Sequence, residues 1–161
     1  MEFYNHDNYE EDEFEIFFDV GEIEEQLAKV SPDDTLCYSY VKLGKLYSKA
    51  HRYDEAIEYY NLAIAMNPVE QGFQYYRGIA LFHLGKYAEA MSDFSAILSS
   101  DPWNKWDVLN FTGTIKLRTG DHDGALEDIE QVLDKNNGLL NDLRISMEEY
   151  DLLMLSTKLR D

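Results

Sequence analysis

The sequence has few of the residues that cross-link a chain, break its helices or anchor it in a membrane. Cys37 is the one cysteine among 161 residues, so no disulfide can form within the chain. Prolines stand only at positions 32, 68 and 102, which leaves long stretches free to be helical. No run of about 18 apolar residues could cross a bilayer, and the N-terminus lacks the basic start and apolar centre of a signal peptide. We therefore expect a cytoplasmic protein.

Positive charge is also scarce. The chain carries 32 acidic and 14 basic residues, a formal net charge of −18. Eleven of the acids, against one lysine, lie in residues 1–30, so the excess is concentrated ahead of the main body. Such a field repels nucleic acids and anionic membranes, and neither is an expected partner. The charge favours a basic partner protein or simply keeps the chain in solution.

The sequence lacks the short motifs that carry chemistry. Its histidines show no HxxxH or HExxH spacing, and there is no GxxxxGK[ST] phosphate loop and no GxSxG elbow. The stretch "DHDG" at 121–124 differs from a calcium loop because its glycine comes too early. We interpret Asp123, and Asp54 at the matching place, as helix N-caps instead. We predict no catalytic residues, no metal site and no cofactor.

A repeat of about 34 residues takes the place of such motifs. The stretch "YVKLGKLYSKAHRYDEAIEYYNLAIAMNP" aligns with "QYYRGIALFHLGKYAEAMSDFSAILSSDP", and a weaker copy, "LNFTGTIKLRTGDHDGALEDIEQVLDKNN", follows after one extra residue. The residues in register are Gly44, Gly78 and Gly113; Ala56, Ala90 and Ala125; Tyr60, Phe94 and Ile129; and Pro68 and Pro102, with Asn137 in the third copy.

The pattern of leucine-glycine, tyrosine, alanine, aromatic and proline resembles the tetratricopeptide repeat family. The resemblance implies an all-α fold: an α-solenoid of three helix-turn-helix repeats, at about 37–70, 71–104 and 106–139 within residues 31–139. The first copy predicts helices over about 33–49 and 54–66. Small residues at Gly44 and Ala56 let these helices approach closely, and Tyr60 fills the space beside them. The resemblance says little about chemistry, because the family is defined by its scaffold.

Both ends of the repeat region are predicted to be capped by helices. Residues 1–12 are an acidic tail, and residues 13–30 are an N-terminal capping helix. Residues 140–161 are a C-terminal capping helix, with an apolar stripe on one face. That stripe consists of Leu139, Leu143, Met147, Tyr150 and Met154. The acidic, aromatic-rich N-terminal segment either binds a basic surface or only leads into the first cap.

The resemblance implies that the first helices of the pairs line a concave groove. The matching residues are Tyr38, Val41, Lys45, Ser48, Tyr75, Ile79, Phe82, Asn110, Thr114 and Leu117. This face is largely apolar and aromatic, which suits an extended or helical peptide. The alternative is that some of these side chains are buried against the next repeat or under the N-terminal segment. Trp103, beside Pro102, is a candidate anchor for a partner.

One branch of the family grips the acidic C-terminal tails of heat-shock chaperones with a clamp of lysine, asparagine and arginine. The matching places here hold Val41, Lys45, Tyr76, Asp107 and Phe111. Only Lys45 is basic, and it stands where the clamp has asparagine. The sequence therefore argues against this ligand.

Two functions of different class remain. The first is a non-enzymatic interaction module, an adaptor or client-binding chaperone that holds a basic or apolar partner protein or peptide in its groove. The alternative is an acidic immunity or inhibitor protein that neutralises a basic toxin or nuclease. For that role we expect an acidic patch at Glu10, Glu11, Asp12 and Glu13. Self-association is compatible with either function.

Overall fold

The computed structural model describes residues 25, 36–100, 104–135 and 143–158. Within these ranges it contains α-helices and no strand. The helices are α1 (Leu36–Lys49), α2 (Tyr53–Met66), α3 (Gln71–His83), α4 (Tyr87–Leu98), α5 (Lys105–Thr119), α6 (His122–Lys135) and α7 (Met147–Lys158). None of these helices is both long and apolar enough to span a membrane.

The same turn joins the helices of all three predicted pairs. Its central residues are His51, Gly85 and Gly120, each with a positive φ, of 57°, 72° and 88° respectively. In each turn the backbone amide of the residue after the positive-φ residue donates to the carbonyl five residues earlier, as Arg52 N does to Tyr47 O at 2.9 Å. This is the Schellman geometry, which satisfies the last carbonyls of the first helix. The third copy therefore keeps the geometry of the repeat although its sequence is degenerate.

The described residues divide into two compact units, one ending at Ala80 and one beginning at Leu81. In the first unit, α1 and α2 pack around Tyr60, which is fully buried together with Ala56 and Ala63. A Cβ placed on Gly44 would lie 2.5 Å from the Tyr60 ring, so only glycine permits this approach. The predicted pairing of small and large side chains is thereby confirmed. Pro68 follows the end of α2 at Met66, also as predicted.

In the second unit, α5 and α6 are joined by buried polar groups as well as by apolar packing. The buried Asp128 carboxylate accepts a hydrogen bond from Thr112 Oγ1 at 2.6 Å. It also pairs with Lys116 Nζ at 2.8 Å. Because two donors satisfy the carboxylate, its burial is tolerated.

The second unit also contains α7, which is shorter than the predicted capping helix over 140–161. Residues 143–146 form a turn, and the helix begins at Met147. Ser146 and Glu149 form a capping box there, with Ser146 N to Glu149 Oε2 at 2.7 Å and Glu149 N to Ser146 Oγ at 3.1 Å. Leu153, which the predicted stripe omitted, is buried in the core, and Tyr150 of the stripe packs against that core while partly buried.

The prediction of N-caps at Asp54 and Asp123 is wrong. Both residues lie inside the first turn of their helices, α2 and α6. Asp121 caps α6, because its Oδ1 accepts the Gly124 amide at 3.1 Å. An aspartate inside the first turn still interacts favourably with the helix dipole, which explains the similar sequence signal.

Several predictions fall outside the described residues. These are the acidic tail and patch at Glu10, Glu11, Asp12 and Glu13, all of the N-terminal capping helix except Glu25, and the candidate anchor Trp103.

Candidate protein-interaction surfaces

The exposed face of α1 combines one aromatic ring with a row of lysines. Tyr38 is 54% exposed, and its ring rests edge-on against Phe73 with centroids 5.4 Å apart. Lys42, Lys45 and Lys49 are exposed too, and they follow Tyr38 at i+4, i+7 and i+11 on the same side of the helix. The sequence of α1 contains no acidic residue. In a chain of net charge −18, this face is a local cationic surface.

Lys45 is held over an aromatic ring of α3. Its Nζ lies 3.8 Å from the centroid of Tyr76. Tyr76 stacks near the buried Tyr60, with centroids 6.1 Å apart, and meets Tyr75 at 5.3 Å. Because these rings restrict Tyr76, the ammonium group is held in a defined place. A contact of this kind contributes about 0.5–1 kcal/mol at an exposed site.

Behind this face, Tyr60 is neutral at physiological pH. Burial raises the pKa of its hydroxyl to about 12, and a hydrogen bond with Ser48, at 3.2 Å, partly opposes the rise. The hydroxyl is therefore a structural contact between α1 and α2 and supplies no charge to the surface. Ser48, which the sequence assigned to the groove, is half-buried and faces this contact.

The other predicted groove residues of the first unit divide by burial. Val41 and Tyr75 are buried, and Ile79 is half-buried. The exposed contribution of this unit comes from Tyr38 and Lys45, together with the neighbouring lysines of α1.

In the second unit the predicted groove residues are mostly covered. Phe82, Asn110 and Thr114 are buried, and Leu117 is half-buried. The Thr114 hydroxyl donates to the carbonyl of Asn110 in its own helix, at 2.8 Å. Thr114 is therefore used for packing, which was the stated alternative to a groove role.

Phe82 is covered in part by Arg118, whose guanidinium lies 5.2 Å from the ring centroid. The same guanidinium donates a hydrogen bond to Tyr87 OH at 3.1 Å. The edge of Phe82 meets Phe111, with centroids 5.1 Å apart. Phe82 thus belongs to an aromatic cluster that the Arg118 guanidinium partly covers, and it does not present a free apolar surface.

The face of α5 is covered by residues 143–146, a placement that sequence reasoning missed. The backbone amide of Arg144 donates to Asn110 Oδ1 at 2.9 Å. Its guanidinium lies 3.7 Å from the Phe111 ring centroid and 3.6 Å from Asp107 Oδ1. Burial lowers the pKa of Arg144, and the neighbouring Asp107 opposes that change. The S-x-x-E box at 146–149 marks the start of α7, but no local pattern indicated this contact.

Three comparisons connect this geometry with known proteins. A family model described as "Tetratricopeptide repeat" matches residues 41–104. A curated relative, RNA polymerase II-associated protein 3 of Xenopus tropicalis, is 36% identical over 96 residues. The match covers 58% of this chain but 14% of the relative, so the chain spans about a seventh of that protein's length.

Solved structures share the fold. A crystal structure of MamA matches with a TM-score of 0.73 at 20% identity, covering 91% of this chain and 81% of that one. A second MamA structure (AMB-1) gives 0.62 at 23% identity, with 80% and 65% covered. The first tetratricopeptide repeat domain of Spaghetti (RPAP3), bound to the HSP90 peptide SRMEEVD, gives 0.60 at 24%, with 80% and 97% covered. The predicted all-α repeat solenoid is confirmed as the fold class.

Proposed function

Because this chain is a tetratricopeptide repeat protein, we propose that it acts by binding a partner protein and not by catalysis. The observation that carries the proposal is the exposed α1 face, where Tyr38 and Lys45 are held by Phe73 and Tyr76 of α3. Exposed aromatic rings that neighbours hold in place lose little conformational entropy on binding, so they make effective anchors.

The chemistry of this face defines the segment that it would bind. Tyr38 offers apolar area, and Lys42, Lys45 and Lys49 offer positive charge. A complementary partner segment therefore combines an apolar side chain with one or more carboxylates. The structural relative bound to SRMEEVD supports a peptide ligand of this general kind, since that peptide contains three acidic residues. We accordingly favour an acidic and apolar segment over the basic partner expected from net charge.

We do not propose the chaperone tail itself as the ligand. Two of the five matching clamp positions, Val41 and Phe111, hold buried apolar residues. A third, Asp107, is acidic and lies beside Arg144. An internal segment of a client or adaptor protein fits this arrangement better, because it needs no carboxylate clamp.

The test is affinity capture from the native host with the full chain and matched variants. Lys45→Glu reverses one charge of the α1 face, and Tyr38→Ala removes its exposed ring. Lys86→Glu is the control, because Lys86 is exposed in the turn before α4 and lies outside this face. We expect the first two variants to lose a protein that the wild type and the control retain. Equal capture by all four chains would contradict the proposal.

The acidic-inhibitor alternative has one observation in its favour, the net charge of −18. The same variants distinguish it. A basic toxin would bind Lys45→Glu as well as, or better than, the wild type, and added salt would slow its association steeply. A partner that binds the α1 lysines would instead be lost from Lys45→Glu.

A further inference from the structure

Residues 143–146, the bent segment before α7, contact α5 through both the backbone and the side chain of Arg144. Asn110, a buried side chain, accepts a backbone N–H from Arg144 at 2.9 Å. A bond to the peptide backbone holds a segment without regard to its side chains. On either side of Arg144, Ile145 is buried and Leu143 is partly buried against the core formed by Ala125 and Ile129.

The side chain of Arg144 supplies the specific part of this contact. The Cζ atom of its guanidinium lies 3.7 Å from the centroid of the Phe111 ring. Phe111 is held from behind by Phe94, stacked at 5.2 Å with 18° between the ring planes. Asp107, at 3.6 Å, provides the opposite charge. A guanidinium, which is planar and permanently charged, suits a ring and a carboxylate together better than an ammonium does.

The ion pair between Arg144 and Asp107 is formed but remains partly open to solvent. The side chains of Arg144 and Asp107 are 38% and 43% exposed, so water reaches the ion pair. Exposed ion pairs contribute little net stability, and this pair can separate without leaving a buried charge. The ion pair can therefore exchange with another ligand, and a competing segment must also replace the buried Ile145 with an apolar side chain of its own.

We infer that Asp107, Asn110 and Phe111 form a binding site for an arginine flanked by apolar residues, and that the chain's own Leu143–Arg144–Ile145 occupies it until a partner segment of the same pattern displaces it. The occupant is a segment of another protein, and the Asp107 carboxylate that now pairs with Arg144 would pair with its arginine. This site adds a second binding surface to the proposed function. It lies in the second unit and does not depend on the α1 face.

Displacement is a competition between an intramolecular and an intermolecular ligand. A tethered segment acts at an effective concentration of the order of 1 mM. A free segment with the same intrinsic affinity for the site therefore binds the wild-type chain weakly. Weakening the resident segment should therefore expose the site to the free segment.

The experiment uses the full chain and a fluorescent peptide with the chain's own sequence from 141–150, NDLRISMEEY. A second peptide carries alanine in place of the arginine. We expect Arg144→Ala protein to bind the first peptide more tightly than wild-type protein does, by up to about tenfold, since about 1.4 kcal/mol of resident contact is removed. The alanine peptide should bind that variant at least about tenfold more weakly, and adding Asp107→Asn should weaken the first peptide by several-fold.

Circular dichroism of each variant checks the fold. If Arg144→Ala does not fold, Arg144→Lys replaces it, because it keeps the charge but loses the planar contact with Phe111. Equal binding of both peptides, or no binding to either folded variant, would overturn the inference. A dimer of Arg144→Ala that binds no peptide would overturn it too, since the site would then exchange segments between copies. The peptide assay reports on α5 in the second unit and the capture assay on α1 in the first unit, so failure here and failure of the α1 proposal are separable.

Discussion

Gly44 is the position where one added methyl group tests the packing of the repeat most directly. A Cβ on Gly44 would lie 2.5 Å from Tyr60 Cε1 and 2.8 Å from Cδ1 and Cζ, closer than carbon atoms approach in proteins. Tyr60 cannot turn aside easily, because it is fully buried and its hydroxyl is bonded to Ser48. Gly44→Ala must therefore move α1 away from α2.

Two opposing effects set the size of the change. Overpacking a filled core costs typically about 1–3 kcal/mol. Alanine in place of glycine within a helix contributes about 1 kcal/mol in the stabilising direction. Since the clash is with a ring and involves three of its atoms, the cost lies towards the upper end, and we expect a net loss of about 2 kcal/mol in the free energy of unfolding. At an ordinary urea dependence this lowers the midpoint by about 1 M.

Two other glycines provide matched controls. At Gly113 the nearest atom, Ile129 Cγ1, would be 3.1 Å from the new Cβ, so alanine should cost less there. At Gly72 the only atom within contact is Glu70 Oε1, the end of a movable side chain, at 3.3 Å. Gly72→Ala should be neutral or stabilising by up to about 1 kcal/mol.

The assay is urea unfolding followed by far-ultraviolet circular dichroism, with tryptophan fluorescence as a second signal. Both tryptophans, at 103 and 106, follow Leu81 in the sequence, where the second unit begins, so the two signals show whether the loss is confined to the first unit. The expected order of stability is Gly72→Ala, then Gly113→Ala, then Gly44→Ala. If Gly44→Ala were as stable as Gly72→Ala, close packing of Tyr60 on the α1 backbone would be refuted.

Three further predictions concern single groups. Burial raises the pKa of Tyr60 to about 12 in the folded chain, against about 10 in the unfolded chain. The neutral hydroxyl therefore contributes roughly 2–3 kcal/mol to the free energy of unfolding below pH 10, and this contribution is lost as the pH rises from 10 to 12. Tyr60→Phe should abolish this part of the alkaline unfolding transition, and an unchanged pH profile would contradict the prediction. A Cβ on Gly120 would meet no atom within 4 Å, but the φ of this residue is 88°, which strains any residue with a side chain. Gly120→Ala should therefore lower the free energy of urea unfolding by about 1–2 kcal/mol, and a neutral result would show that the turn relaxes. Thr112→Val keeps the side-chain volume but removes a hydrogen-bond donor to the buried Asp128 carboxylate. It should lower the free energy of unfolding by about 1–3 kcal/mol. An unchanged thermal unfolding temperature would mean that the hydrogen bond is dispensable.

Much of the helical framework could be predicted from the chain. The spacing of Gly44, Ala56 and Tyr60 predicted which side chains meet between α1 and α2, because these contacts lie within one hairpin and depend on helical period alone. Gly85 and Gly120, which have positive φ in the structure, are a sequence signal for two of the three turns that the sequence analysis did not use. His51 occupies the same conformation in the first turn, and only the register of the repeat could identify it.

The composition of the binding faces could be predicted only in part. Tyr38 and Lys45 are exposed, but Phe82 and Thr114 are buried, although all four occupy the first helices of their pairs. Helical period assigns residues to a face without identifying what else packs on it. For Phe82 the covering group is Arg118, a residue distant in sequence.

Local sequence patterns were sufficient to predict the repeat, its helices and the small-to-large contacts inside one hairpin, because these depend on neighbours within about one period. The tertiary structure alone decided that Arg144 lies on Phe111 and that its backbone amide reaches Asn110, 34 residues earlier. That contact depends on the placement of residues 143–146 against α5, which is far from them in sequence. Local periodicity cannot predict such a contact.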